Sequence, residues 1–341
     1  NYQINEGDII SSNIDGLDIS NFEAYSFSHP TLWEALEGIY TLNVWTSNVN
    51  GAEDLNPIND AIIKTVEIGQ GIPNIIDLYL SSSPQITEIG NNSDQLDKPT
   101  DLDFHPLLSK KELWVINKRS ENEGGSTVIY NNVGELTQSD QLKVDGNAWH
   151  FMSLPSGIAF GANGNFGTST AVYDANHNGG APFTGPALWS SDPLIYAKPS
   201  GGNGSHLDML HGSPYCMGIA WETGNVYWVT DMNTGDVVRY DFAADHGPGN
   251  ANHDDGKVRR FKGQTISWVS QAVSSHLTLD AAKKWLYVVD GGGKRVLRLD
   301  ITTGTAGAAA GFPQYEALAE YTGVSGATWE VVSNTNLVEP A

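Results

Sequence analysis

Cys216-Met-Gly-Ile-Ala-Trp221, Glu222-Thr-Gly-Asn225, Val226-Tyr-Trp-Val-Thr-Asp231 and Asp236-Val-Val-Arg-Tyr-Asp241 read as three short strands joined by two tight turns. Three other stretches follow the same order. Pro99-Thr-Asp-Leu-Asp-Phe104 precedes Glu112-Leu-Trp-Val-Ile-Asn117, and Pro155-Ser-Gly-Ile-Ala-Phe160 precedes Ala171-Val-Tyr-Asp174. Ser275-His-Leu-Thr-Leu-Asp280 precedes Trp285-Leu-Tyr-Val-Val-Asp290 and Lys294-Arg-Val-Leu-Arg-Leu-Asp300. One such unit cannot bury both faces of its own sheet, so copies must pack on copies.

With Asp101, Ser156, Met217 and His276 taken as equivalent positions, the unit recurs after 55, 61 and 60 residues. The 341 residues then hold about six units. The expected fold is all-β: a β-propeller, six-bladed, with four-stranded antiparallel blades and long loops. The strands Pro99–Asn117 and Trp285–Leu299 resemble NHL-repeat blades, a likeness that runs over roughly residues 95 to 321. Residues 1–95 lack the repeat and are expected to supply one or two divergent blades, with 96–341 forming the regular ones. Ile39–Trp45 and Ile75–Leu80 read as strands there, and Thr31–Glu37 as a short helix. The chain stops at Leu337-Val-Glu-Pro-Ala341, where another unit would begin. Ring closure by the N-terminal strands, or continuation of the natural chain, is the expectation.

Lys and Arg number 18 against 40 Asp and Glu, a net charge of −22. Nucleic acid and anionic membrane surfaces are therefore not expected partners. No run of about 18 apolar residues exists, so no membrane insertion by a helix is expected either. No signal segment opens the chain, which fits a cytoplasmic protein or a mature secreted one. The acidic balance and Asn/Gly/Ser/Thr-rich loops point to an extracellular or periplasmic setting. The lone Cys216 allows no internal disulfide and reads as a small buried hydrophobe.

Histidine placement is the sharper chemical signal. His150 and His211 each stand six residues before Ser156 and Met217, and His276 begins a neighbouring first strand. In a propeller such positions converge at the mouth of the central channel. Imidazoles meeting there suit Zn²⁺ or Cu²⁺, with His206 as a further ligand. The alternative is that these histidines are satisfied by loop carbonyls. The Pro-Thr-Asp-Leu-Asp-Phe strand and the histidines before strands resemble the catalytic core of peptidyl-α-hydroxyglycine α-amidating lyases, which implies a six-bladed propeller with a central zinc. That family's ligands directly follow proline, and of the matching positions Asp101, Ser156, Met217 and His276 only the last is histidine, so the activity does not carry over. Lactonase-like propellers are a second likeness and imply axial calcium, for which Asp101 and Asp103 are candidates.

The loop Asp245–Gly256 is rich in oxygen donors, as Ca²⁺ sites are, but lacks EF-hand spacing. The long stretch through Tyr173 and Trp189 offers aromatic rings that would stack on a sugar or pack on the next sheet. Asn117, Asp174, Asp231 and Asp290 recur at strand ends and read as turn caps. No serine triad order, nucleophile elbow, Walker sequence or HExxH helix is found. Two functions remain. One is a secreted binding or structural module of an extracellular assembly, with bound metal ions, a protein or glycan partner and possible homo-oligomers. The other is a metal-dependent lyase or hydrolase at the channel mouth, with Tyr215 or Asp208 as acid or base.

Overall fold

In the computed structural model, the described residues are 1–17, 25–36, 38–47, 60–68, 83, 86–121, 123–146, 152–175, 182–198, 204–250, 252–270, 273–335 and 337. The chain divides into two compact units, Asn1–Ile86 and Thr87–Ala341. The first holds one antiparallel sheet of β1 (Tyr2–Ile4), β2 (Gly38–Trp45) and β3 (Ala61–Ile68) in that order. Strand β2 contains the expected Ile39–Trp45; Ile75–Leu80 lies outside the described residues. Residues 31–36 are not helical. Leu32 and Leu36 stay exposed, and so short a helix with no surface to cover is unstable in water.

The second unit is all-β and built from four sheets that are antiparallel apart from one parallel pairing. The first contains β4 (Pro99–Phe104), β5 (Leu113–Asn117), β6 (Ser126–Asn131) and β7 (Ser139–Lys143). The second contains β8 (Pro155–Phe160), β9 (Asn165–Thr170), β10 (Ala187–Ser190) and β11 (Asp208–Met209). The third begins with β12 (Cys216–Thr223), β13 (Val226–Asp231), β14 (Asp236–Asp241) and β15 (Lys257–Phe261). The fourth contains β16 (Leu277–Asp280), β17 (Trp285–Asp290), β18 (Arg295–Asp300) and β21 (Trp329–Ser333). Each of these sets runs as a simple meander, although in the second sheet the strand that pairs with β8 is Asn165–Thr170 and not the expected Ala171–Asp174, which follows it. Between β18 and β21 the chain leaves its own sheet. Strand β20 (Glu320–Ser325) adds in parallel to β15, and β19 (Thr305–Ala308) pairs with β20, so the third sheet has six strands. The bidentate Arg259–Glu320 pair, at 2.7 and 2.9 Å, ties this graft in register.

Burial explains the sequence patterns. Strand β13 buries every residue because it faces two sheets: Trp228 enters the core shared with the fourth sheet, while Tyr227 and Val229 enter the core shared with the second. Its apolar run is therefore continuous. Strand β17 alternates buried and half-buried residues because only one of its faces is covered. A third core joins Trp114, Ile116 and Ile129 of the first sheet to Phe160, Phe166 and Trp189 of the second. Each fully buried large apolar side chain here contributes about 1.5–3 kcal/mol.

The first strands of successive sheets lie side by side: β4 by β8, β8 by β12, and β12 by β16. Their joints repeat. Thr100 Oγ1 donates to the Pro155 carbonyl at 2.8 Å, and Ser156 Oγ donates to the Cys216 carbonyl at 2.9 Å. Lys98, Leu154 and Tyr215, each just before a first strand, share left-handed backbone with φ of 56°, 48° and 52°. Pro99, Pro155 and Cys216 pair with Asn117, Thr170 and Asp231 at the ends of the second strands. The residue equivalent to Ser156 and Met217 is thus Thr100 and not Asp101, a one-residue correction to the repeat. Gly157 and Gly218 permit the close approach. A Cβ on Gly157 would lie 2.9 Å from the Gly218 carbonyl carbon, and one on Gly218 2.8 Å from His276 Cα.

Candidate functional site

The segment from Gly204 to His211 runs through β11 along the edge of the second sheet, and the loop from Asp245 to Gly256 folds onto it. His206 Nε2 lies 3.1 Å from the Asn250 carbonyl, and Gly249 N–H donates to the His206 carbonyl at 2.8 Å. Two motifs that are separate in the sequence form one cluster. Asp208 is fully buried; its Oδ1 accepts from Met209 N–H and pairs with His253 Nδ1, both at 2.7 Å, while Oδ2 has no partner. His246 Nε2 lies 2.8 Å from Asp255 Oδ1. One ligating atom each from Asp208, His246 and Asp255 falls within 4.8 Å of the others.

His211 stands beside this group. Its ring packs edge-on to His253 at 5.9 Å and on Phe183 at 3.7 Å. Glu316, brought in by the segment before β20, binds both the His211 backbone N–H at 2.7 Å and Nδ1 at 2.6 Å. The buried His211 Nε2 is left without a partner. Burial raises the Asp208 carboxyl above its usual range despite the His253 bond. Burial alone would lower His253, but the Asp208 bond and the Glu316 and Asp208 charges reverse that and hold it above 6.5. The pair holds a proton between its two members.

The other expected ligands lie elsewhere. His276 precedes β16, with Nε2 2.9 Å from Asp101 Oδ2 and Nδ1 3.0 Å from the Leu277 carbonyl. Asp101 and Asp103 also accept from Ile158 and Phe160 N–H, both at 2.7 Å, so these carboxylates knit β4 to β8. His206 and His211 each contact the Asp245–Gly256 loop, through Asn250 and His253; the hydrogen bonds of His276 go to Asp101 and Leu277 instead, and His150 lies outside the described residues. Cys216 is buried and its thiol is pushed up by burial, as a packed hydrophobe requires. Tyr215 stacks between Tyr173 and Trp268. Trp189 is fully buried, with its indole N–H on Thr168, and offers no sugar platform. Asp231 and Asp290 cap turns through Asn233 and Gly293 N–H, and each also holds an arginine: Asp231 the buried Arg260, Asp290 Arg295.

A groove between the first and second sheets had no signal in the sequence. Its wider part, about 260 Å³, is lined by His105, Lys110, Asn163, Asn165, Ser191 and Asp192 among others. A narrower part of about 70 Å³ shares Lys110 and Ser191 and continues past Glu112, Asn131, Gln141 and Lys143. His105 and Ser191 are both buried, with Nε2 3.0 Å from Oγ. This resembles a nucleophile and its base, but the polarity is reversed. Leu107 N–H donates to His105 Nδ1 at 3.1 Å, so the ring proton sits on Nε2 and is donated to Ser191. Burial, with the Lys110 charge, lowers His105 to about 4. Because Nε2 already carries the proton of the neutral ring, no lone pair faces Ser191 and His105 cannot take the serine proton, which is free for a ligand.

No protein family matches the chain, and no curated protein is similar to it in sequence. Among the solved structures that match part of the chain are two nutrient binding proteins. An auxiliary nutrient binding protein from Bacteroides ovatus is 13% identical, with a TM-score of 0.39. One from Bacteroides thetaiotaomicron is 14% identical, with a TM-score of 0.40. Each comparison covers 60% of this chain and 39% of the other.

Proposed function

We propose that this chain is a binding module of propeller architecture, working in an extracellular or periplasmic setting. It takes a hydroxyl-rich ligand such as a glycan in the groove between the first two sheets and carries cations as structural ligands. The observation that carries the reading is the groove's lining: Lys110 and the Ser191 hydroxyl donate, while asparagine, glutamine and carboxylate oxygens accept. Sugar hydroxyls both donate and accept, and such a mixed wall satisfies them without needing a strong field of one sign. The propeller reading is supported by four successive meanders whose first strands adjoin in chain order and whose first and last touch through Asp101 and His276. A lyase or hydrolase at the channel mouth has less support, because both His276 nitrogens are engaged and His105 donates to Ser191 instead of accepting from it.

Trp114 lines the groove, so tryptophan fluorescence reports occupancy. Titration with neutral oligosaccharides should give a saturable change that weakens about tenfold in Ser191→Ala and in Lys110→Ala, the equivalent of one hydrogen bond each. No saturable binding, or unchanged affinity in both variants, rejects the reading.

A further inference from the structure

We infer that Asp208, His246 and Asp255 form a binding site for one divalent transition ion of the zinc class. The inference rests on the proposed cation-bearing character of the module and gives it a location. The three ligating atoms lie within 4.8 Å of one another, close to the span of at most about 4.4 Å that two bonds of about 2.2 Å cover, so they form a loosely preformed set.

Two independent features point to a ligand. The first is Asp208 Oδ2, fully buried and unpartnered, although a buried carboxylate oxygen ordinarily takes a hydrogen bond. The second stands beside the three-atom group and outside it: His211 Nε2 is also buried and unpartnered, on a ring packed against the His253 that binds Asp208. The surrounding bonds are those that orient metal ligands. His253 holds Asp208 Oδ1 at 2.7 Å, and Ala244 N–H holds Asp255 Oδ2 at 3.1 Å. An imidazole donor beside the buried Asp208 and the half-buried Asp255 selects a zinc-like ion over calcium, which takes oxygen ligands alone.

The test uses the full chain stripped with a chelator, its fold checked by circular dichroism, and titrated with Zn²⁺ against a chromophoric chelator, with Ca²⁺ as comparator. One equivalent of Zn²⁺ should bind the wild type and raise its melting temperature. His246→Gln and Asp255→Asn should each weaken binding about 100-fold or more, and His276→Ala should leave it unchanged. Absence of stoichiometric Zn²⁺ binding, equal binding in both ligand variants, or tighter Ca²⁺ than Zn²⁺ overturns the assignment. Should the variants fail to fold, Co²⁺ added to the wild type decides. Intense visible absorption of a low-coordinate nitrogen and oxygen site is expected, and the pale spectrum of the hexaaqua ion overturns it. Failure here leaves the groove titration standing, and failure of that titration leaves the zinc stoichiometry standing.

Discussion

His276 Nε2 lies 2.9 Å from Asp101 Oδ2, across 175 residues of chain, and this contact joins the first strand of the fourth sheet to that of the first. A double-mutant cycle with His276→Ala and Asp101→Ala should give a coupling of about 0.5–1.5 kcal/mol in chemical denaturation. Additive effects would mean that the two residues do not meet.

The same pair sets a pH dependence. Burial lowers the His276 imidazole, but the Asp101 hydrogen bond and the Asp101 and Asp103 charges more than offset this, so its proton is held above 6.5. Its contribution is complete below pH 6.5 and is lost as pH rises through the raised value. The gap in melting temperature between wild type and His276→Ala should shrink on going from pH 6 to pH 9. A constant gap contradicts the pairing.

His105 acts in the opposite direction. Its ring titrates near 4 when folded and near 6.5 when unfolded, so the unfolded chain binds more protons between those values. Stability should fall as pH drops from 6.5 to 4. Replacement by Gln, which keeps a donor towards Ser191, should flatten that part of the curve. An equally steep fall in His105→Gln would assign the acid sensitivity to other groups.

Arg260 is fully buried among Asp231, Asp236 and the Gly212 carbonyl, and it fastens β15 to the turn after β13. Asp231→Asn leaves its charge only partly compensated and should cost about 3–5 kcal/mol. Gly157→Ala should cost about 1–3 kcal/mol by forcing β8 from β12. Surface-like values below about 0.5 kcal/mol for either would contradict these placements.

The meanders were legible because turn residues and apolar strands recur locally, within the roughly 60-residue unit. The register was misread by one residue in the first sheet. Thr100 and Asp101 are both polar, and only the cross-strand pairing of Pro99 with Asn117 decides between them. The β19–β20 graft was illegible, since parallel pairing with β15 leaves no local pattern. In the histidine cluster His206, Asp208 and His211 could be singled out, and the loop around His246 and His253 looked like a cation loop of its own. That the two meet depends on how the loop folds back. Glu316, 105 residues from His211, carried no signal at all. His105 and Ser191 belong to different sheets, 86 residues apart, so the groove between them exists only in three dimensions.

The most direct measurement of the central claim is hydrogen exchange on the full chain with and without a saturating oligosaccharide. The account predicts slowed exchange confined to the groove walls, around His105–Lys110, Asn163–Asn165 and Ser190–Asp192. Protection that instead falls on His206–His211 and the Asp245–Gly256 loop, with the groove unchanged, would contradict it.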